Sequence, residues 1–245
     1  MHRGIILFCI LLTLGACAGG SGGSNAVYPA VARQGDALPW TAAIGILVAG
    51  RLQCTASLVA PDIVASAYHC VTQQGKATDV KDMAFVANYG EKDELSPVYA
   101  QSILGRGQRG NYGWYSQVVS DWILIKLKSP IQGITPFKLA NISLDQVREK
   151  LDNGAEFFSA GYGVGNGDKL FRHKGCNIHR DSEIPSDLRE AIIVTSCHTW
   201  YGDSGGPIAM VEKDGSVTLL GVITGGGDIR GRATTYGPFA TSFQY

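Results

Sequence analysis

The feature that most constrains this chain is its punctuation. Short runs rich in Val, Ile, Leu and aromatic residues are cut again and again by Gly, Asp, Asn and Pro. With 32 glycines and a charged fraction of only 17%, the pattern predicts many short strands in place of long helices. The expectation is an all-β fold. A chain of 245 residues is long enough for one large β domain or two small ones, with a sizeable core.

Charge narrows the partners. The 21 basic and 21 acidic residues cancel. No stripe of Lys and Arg with interleaved aromatics runs along the chain, which argues against nucleic acid.

The first residues, Met1-His2-Arg3, are followed by an apolar stretch from Gly4 to Leu14 that is too short to span a bilayer comfortably. A basic start, an apolar run and then small residues predict an export signal. Its end, Leu14-Gly15-Ala16-Cys17, resembles a bacterial lipobox, in which Cys17 becomes the lipidated first residue of the mature chain. Two or more acyl chains would anchor it stably to a membrane. The alternative is ordinary cleavage after Ala18, leaving a soluble secreted protein. Ala18 to Asn25 is a flexible tether. The expected organisation is a signal over 1–17, a linker or propeptide over 18–33, and a folded domain over 34–245, held in the periplasm or at the cell surface.

Of six cysteines, Cys9 lies in the signal and Cys17 is the lipid candidate. Cys54, Cys70, Cys176 and Cys197 remain, and four cysteines in an exported domain imply two disulfides, with three pairings open. A zinc site built from His173, Cys176, His179, Cys197 and His198 is the competing reading; an oxidising compartment favours disulfides.

Three segments carry chemistry. Gly202-Asp203-Ser204-Gly205-Gly206-Pro207 places a serine among glycines, where the chain can turn sharply and a substrate can approach the backbone. Ser66-Ala67-Tyr68-His69-Cys70 follows the apolar run Ser57 to Val64. Ser120-Asp121-Trp122-Ile123-Leu124-Ile125-Lys126-Leu127 opens an apolar strand with an acid. Each alone is ordinary: a hairpin turn, a packed histidine, a turn aspartate.

Together, from about Gly35 to Phe239, they resemble the chymotrypsin and trypsin family of serine proteases, whose triad runs in the chain order His, Asp, Ser. The resemblance implies two packed antiparallel six-stranded β-barrels, the first over about 34–135 and the second over about 150–245. It implies a serine endopeptidase acting on protein or peptide substrates without a cofactor. Ser204 would be the nucleophile, His69 the general base and Asp121 its orienting carboxylate. The N–H groups of Gly202 and Ser204 would form the oxyanion hole. Thr224, Gly225 and Gly226 would lie beside the substrate, Thr224 at the place of a serine that touches the triad carboxylate. Sequential pairing, Cys54 with Cys70 and Cys176 with Cys197, brackets the segments this mechanism needs held still.

The sequence also departs from the family pattern. Tyr68 stands where the family has a small alanine, and a phenol there needs room and a partner. Cys197 lies seven residues before Ser204, a spacing more like the bacterial glutamyl-endopeptidase branch. Yet Ile223 occupies the place of that branch's glutamate-reading histidine. Where basic-specific enzymes keep their pocket-floor acid stands His198, so cleavage after Arg or Lys does not follow. No Arg-Ile-Val-Gly-Gly activation sequence is present; cleavage after Arg33 is the nearest equivalent. Without a new amine, Asp203 needs another partner. The family's C-terminal helix is also missing before Tyr245.

Two further patterns have simpler readings. Gly105-Arg106-Gly107-Gln108-Arg109-Gly110 matches a dinucleotide fingerprint without the following helix or acid, so it is a loop near the cleft. Ser143 to Leu151 has capping-box spacing and predicts a short surface helix between the halves. Besides the peptidase, a pseudoprotease that only binds a partner and a serine esterase share these motifs.

Overall fold

The computed structural model describes residues 26–29, 38–73, 75–108, 113–163, 169–179, 184–229 and 232–243. The signal, the lipobox at Cys17 and the candidate cleavage site at Arg33 lie outside the described residues. No described helix is long and apolar enough to cross a membrane.

A short strand β1 (Ala26–Pro29) precedes a closed six-stranded antiparallel barrel. The barrel comprises β2 (Ile44–Ala49), β3 (Leu52–Ala60), β4 (Ile63–Ser66), β5 (Met83–Ala87), β6 (Val98–Arg106) and β7 (Ile123–Leu127). Around the barrel the order is β2-β3-β4-β7-β6-β5. Apolar β-branched runs suit such strands because a small barrel fills its interior with side chains. Ile44, Leu47, Leu58, Val64, Phe85, Ile123 and Leu124 are all buried there. Three bulges, one in β3 near Leu58 and two in β6 near Ala100 and Ile103, add the bend that closure requires.

The second half wraps in two sheets. β8 (Glu156–Gly161), β9 (Phe171–Lys174), β11 (Pro207–Val211) and β12 (Val217–Val222) form the middle of one, in the order β9-β8-β11-β12. The N-terminal β1 adds antiparallel to β9, and Lys138–Leu139 adds parallel to β12. β10 (Ile192–Thr195), β13 (Gly225–Ile229) and β14 (Arg232–Pro238) make a three-stranded sheet in the order β10-β14-β13. Among the described residues two isolated bridges, Gly221 with Phe239 and Ile178 with Thr195, tie the two sheets together.

Helix α1 (Trp114–Val119) lies just before β7, and α2 (Leu144–Asp152) links the halves. The capping box expected of α2 is present: Ser143 Oγ accepts from Gln146 N–H at 3.2 Å, and Gln146 Oε1 accepts from Ser143 N–H at 2.9 Å. A 3₁₀ turn, Ala240–Ser242, stands near the end of the chain. Beyond it Phe243 stacks on Trp122 at 4.9 Å, beside Asp121.

One apolar core runs through both halves. Trp40, ahead of the barrel, stacks on Phe158 of β8 at 4.3 Å and meets Phe137 edge-on at 6.4 Å. Truncating such a side chain costs about 3 to 5 kcal/mol, so this contact is a main clamp between the halves. A smaller cluster of Val118, Ile184, Leu188, Ile192 and Val194 seats α1 on the second half and thereby fixes the approach to Asp121.

Candidate active site

Register brings two of the expected site residues together. β4 ends on Ser66, which pairs with Ile123 at the start of β7. His69 lies just after the first strand and Asp121 just before the second, so they meet at one end of the barrel. His69 sits in a 3₁₀ turn, Tyr68–Val71, whose first N–H groups have no partner within the turn. Asp121 fills that need: Oδ1 accepts the His69 backbone N–H at 2.8 Å, and Oδ2 accepts from the ring Nδ1 at 2.6 Å. An ionised carboxylate only accepts, so Nδ1 carries the proton and Nε2 presents its lone pair.

The serine turn is held by the other half and by the barrel at once. Gly205 N–H donates to Ile223 O at 2.7 Å, and Ile223 N–H returns to Gly206 O at 2.8 Å. Thr55 of β3 reaches across: its N–H donates to Ser204 O at 2.9 Å, and its hydroxyl donates to Gly202 O at 2.8 Å. The same hydroxyl accepts from Tyr162 N–H at 2.9 Å. Gly205 has φ 78°, and a Cβ there would come 2.1 Å from Ser66 Oγ and 2.3 Å from Thr55 O. Only glycine fits, and the backbone at Ser204 lies against the segment leading into His69. Among the described residues the N–H groups of Gly202 and Ser204 have no protein acceptor, whereas those of Asp203, Gly205 and Gly206 are all bonded. No hydrogen bond joins the Ser204 hydroxyl to the imidazole among these residues.

Tyr68 finds the room and the partner its phenol requires. Arg106 donates to its hydroxyl, and the guanidinium lies 4.9 Å from the ring centroid. Together with His69, Thr72, Gln117 and Asp121 they line a cavity of about 660 Å³. Of the Gly-rich 105–110 stretch, Gly107 packs on Ser120 and donates to Trp122 O at 3.1 Å; residues 109 and 110 lie outside the described residues.

Asp203 is buried, at 2% exposure. Its Oδ2 accepts from Trp200 N–H at 2.8 Å, and Oδ1 lies over Gly161 of β8. Burial raises its pKa to about 6 against that one compensating bond. Beside Trp200 lies His173 of β9, 5.0 Å between rings, buried and with no partner for Nδ1. Burial first, and the nearby His198 second, push its pKa down to about 4. Ser159, directly across from His173 on β8, also has a buried hydroxyl without a partner.

The remaining expected residues are placed as follows. Cys54–Cys70 and Cys176–Cys197 are disulfides, the sequential pairing. The only described group of three ligand types close enough to hold a metal is Cys54, His69 and Cys70, and two of these are bonded to each other. The zinc set built around His173 and Cys176 does not converge. His198 is exposed, with its ring stacked 6.5 Å from that of Trp200. The Thr224 hydroxyl donates to Tyr236 O at 3.3 Å, not to the Asp121 carboxylate. Gly225 is covered by the phenol of Tyr236, whose pKa is raised by burial and then by the charge of Asp121.

Sequence reasoning missed Thr55, Arg106 and Tyr236. Their roles come from pairings across the fold, and a threonine after Cys54, in a strand that also holds Gln53 and Ser57, gives no distinct local signal.

A closed antiparallel barrel packed on a second β half, with an imidazole–carboxylate pair and a glycine-flanked serine turn at their junction, defines a protein of the serine-protease class. The trypsin family model matches residues 27–245, and the chain belongs to that family. No curated protein matches it.

Proposed function

We propose that the protein is a serine endopeptidase that cleaves peptide bonds through an acyl-enzyme on Ser204. The observation carrying this reading is the double hydrogen bond from His69 to Asp121, beside a turn whose Gly202 and Ser204 N–H groups are unclaimed by protein acceptors. His69 Nε2 takes the proton of the Ser204 hydroxyl as Oγ bonds to the scissile carbonyl carbon. The carbonyl π pair moves onto oxygen, which the two N–H groups stabilise by about 3 to 4 kcal/mol each. The imidazolium, stabilised by Asp121, then gives its proton to the leaving amine as the C–N bond breaks. Water repeats the sequence and frees the acid.

The same reading takes in cell location. Two disulfides suit an oxidising compartment, consistent with export and with lipid anchoring through Cys17. The glutamyl-endopeptidase likeness extends to the position of Cys197 only; Ile223, fully buried, offers no group to read an acidic side chain.

Hydrolysis of a peptide library by the full chain and by Ser204→Ala tests the proposal. Peptide cleavage lost in the variant is the expected result. Hydrolysis of simple esters alone would replace it with a serine esterase, and no hydrolysis at all with a binding protein.

A further inference from the structure

This inference rests on the peptidase reading and concerns the side chain the site admits. The resemblance that sets the Gly202 and Ser204 N–H groups against the substrate carbonyl and Thr224, Gly225 and Gly226 beside the substrate implies that the side chain on the adjoining α-carbon lies between the two segments flanking the turn. One flank is Cys197–Tyr201, which leads into it. The other begins at Ile223, bonded to Gly205 and Gly206, and continues through Thr224 to Gly225 and Gly226 at the start of β13.

The gap between these flanks is closed by Thr199. A Cβ built on Gly226 would lie 3.0 Å from Thr199 Cβ and 3.2 Å from its Oγ1. Since a Cβ stands about 1.5 Å from its Cα, the Gly226 α-carbon and the Thr199 β-carbon are no more than about 4.5 Å apart. That is ordinary contact. A ring or long chain inserted between them needs roughly 7 Å, a van der Waals distance on each of its two faces.

Thr199 is also held in place. Its hydroxyl bonds to that of Thr235, which is fully buried and donates in turn to Cys197 O at 2.8 Å. Cys197 is fixed by its disulfide. Turning Thr199 aside would break this chain of bonds in a buried setting. Neither Thr199 nor Gly226, which face each other across the gap, carries a charge, and neither does Thr235 behind them.

We infer that Thr199 determines specificity, restricting the residue on the acyl side of the cleaved bond to Gly, Ala or Ser. The test is a peptide set varying only that residue, hydrolysed by the full-length protein, with fluorophosphonate labelling run on every sample to show a folded, reactive serine. The wild type is expected to cleave after Ala at least about 10-fold faster, in kcat/KM, than after Phe, Lys or Glu. Thr199→Gly gains about 10-fold or more on Leu and Phe, while Thr199→Ser, which keeps the hydroxyl bond, retains the small-residue preference. Wild-type preference for a large or charged residue overturns the inference. So does a labelled Thr199→Gly protein with an unchanged profile, or labelling without cleavage of any peptide in the set. If neither labelling nor cleavage occurs in the wild type, the peptidase reading itself fails, and this inference with it.

Discussion

The half that holds His69 and Asp121 and the half that holds Ser204 solve different problems. The first is a closed barrel without a free edge, and its imidazole is fixed by two bonds to a single carboxylate. The second is two sheets tied by isolated bridges, and it gathers polar groups that burial leaves poorly served. Asp203 has one bond for its carboxyl, and His173 Nδ1, Ser159 Oγ and Arg172 Nε have none. Groups of this kind cost stability, and among the described residues the barrel has one such side-chain atom, Ser57 Oγ, against three in the second half. The barrel supplies position, while the second half bears the strain of presenting a nucleophile and two free N–H groups on a tight turn.

The sharpest way to break this comparison is to ask whether the halves act as one device. His69→Ala and Ser204→Ala are each expected to lower kcat by roughly 10⁴- to 10⁶-fold, and the double variant to lose no more than either alone. Additive losses in steady-state peptide hydrolysis would mean that the two residues do not share a step.

The disulfides come next. They close loops of similar length, 16 and 21 residues, so chain entropy predicts that losing either lowers unfolding free energy by about 3 kcal/mol. Urea unfolding of Cys54→Ser/Cys70→Ser and of Cys176→Ser/Cys197→Ser measures this. A markedly larger loss for the second pair would show that the open half depends on its staple more than the barrel does.

The pH response sharpens the contrast further. Asp203, with its pKa raised to about 6, contributes stability that is present below its unfolded value near 4 and lost as pH rises through 6. His173, with its pKa lowered to about 4, has the opposite sign: its contribution is present above about 6.5 and lost as pH falls towards 4. The two slopes oppose each other in the wild type. Asp203→Asn should leave a protein whose stability rises by about 2 to 3 kcal/mol between pH 4 and 6.5, and His173→Phe one whose stability falls by about 2 kcal/mol between pH 4 and 6. Thermal melts across that range give both slopes. Equal profiles in all three proteins would remove the second half's claim to be the pH-sensitive one.

The smallest effect belongs to the link between the halves. Ser143→Ala removes the α2 cap and should cost about 1 kcal/mol in thermal unfolding, with peptide hydrolysis unchanged.

What could be read from the chain divides along the same line. Strand-rich architecture followed from β-branched runs cut by glycine, and α2 from its capping box, because those signals act over a few residues. The neighbourhood of His69 and Asp121 was legible because each flanks an apolar strand, and register does the rest. Thr55 and Tyr236 were not, since a threonine in a strand looks the same whether it faces solvent or clamps a turn from 147 residues away. The closure of the gap by Thr199 was equally hidden: it depends on how near two backbones come, which no local pattern records. His198, which counting from Ser204 puts at a pocket floor, is exposed with its ring against that of Trp200.

The most direct measurement is the mass and location of a covalent adduct formed when the full chain meets a fluorophosphonate. The account predicts a single modification on the peptide containing Ser204, slowed at least about 100-fold by His69→Ala because the imidazole no longer takes the hydroxyl proton. Modification at another residue, or an unaltered rate in His69→Ala, would contradict it.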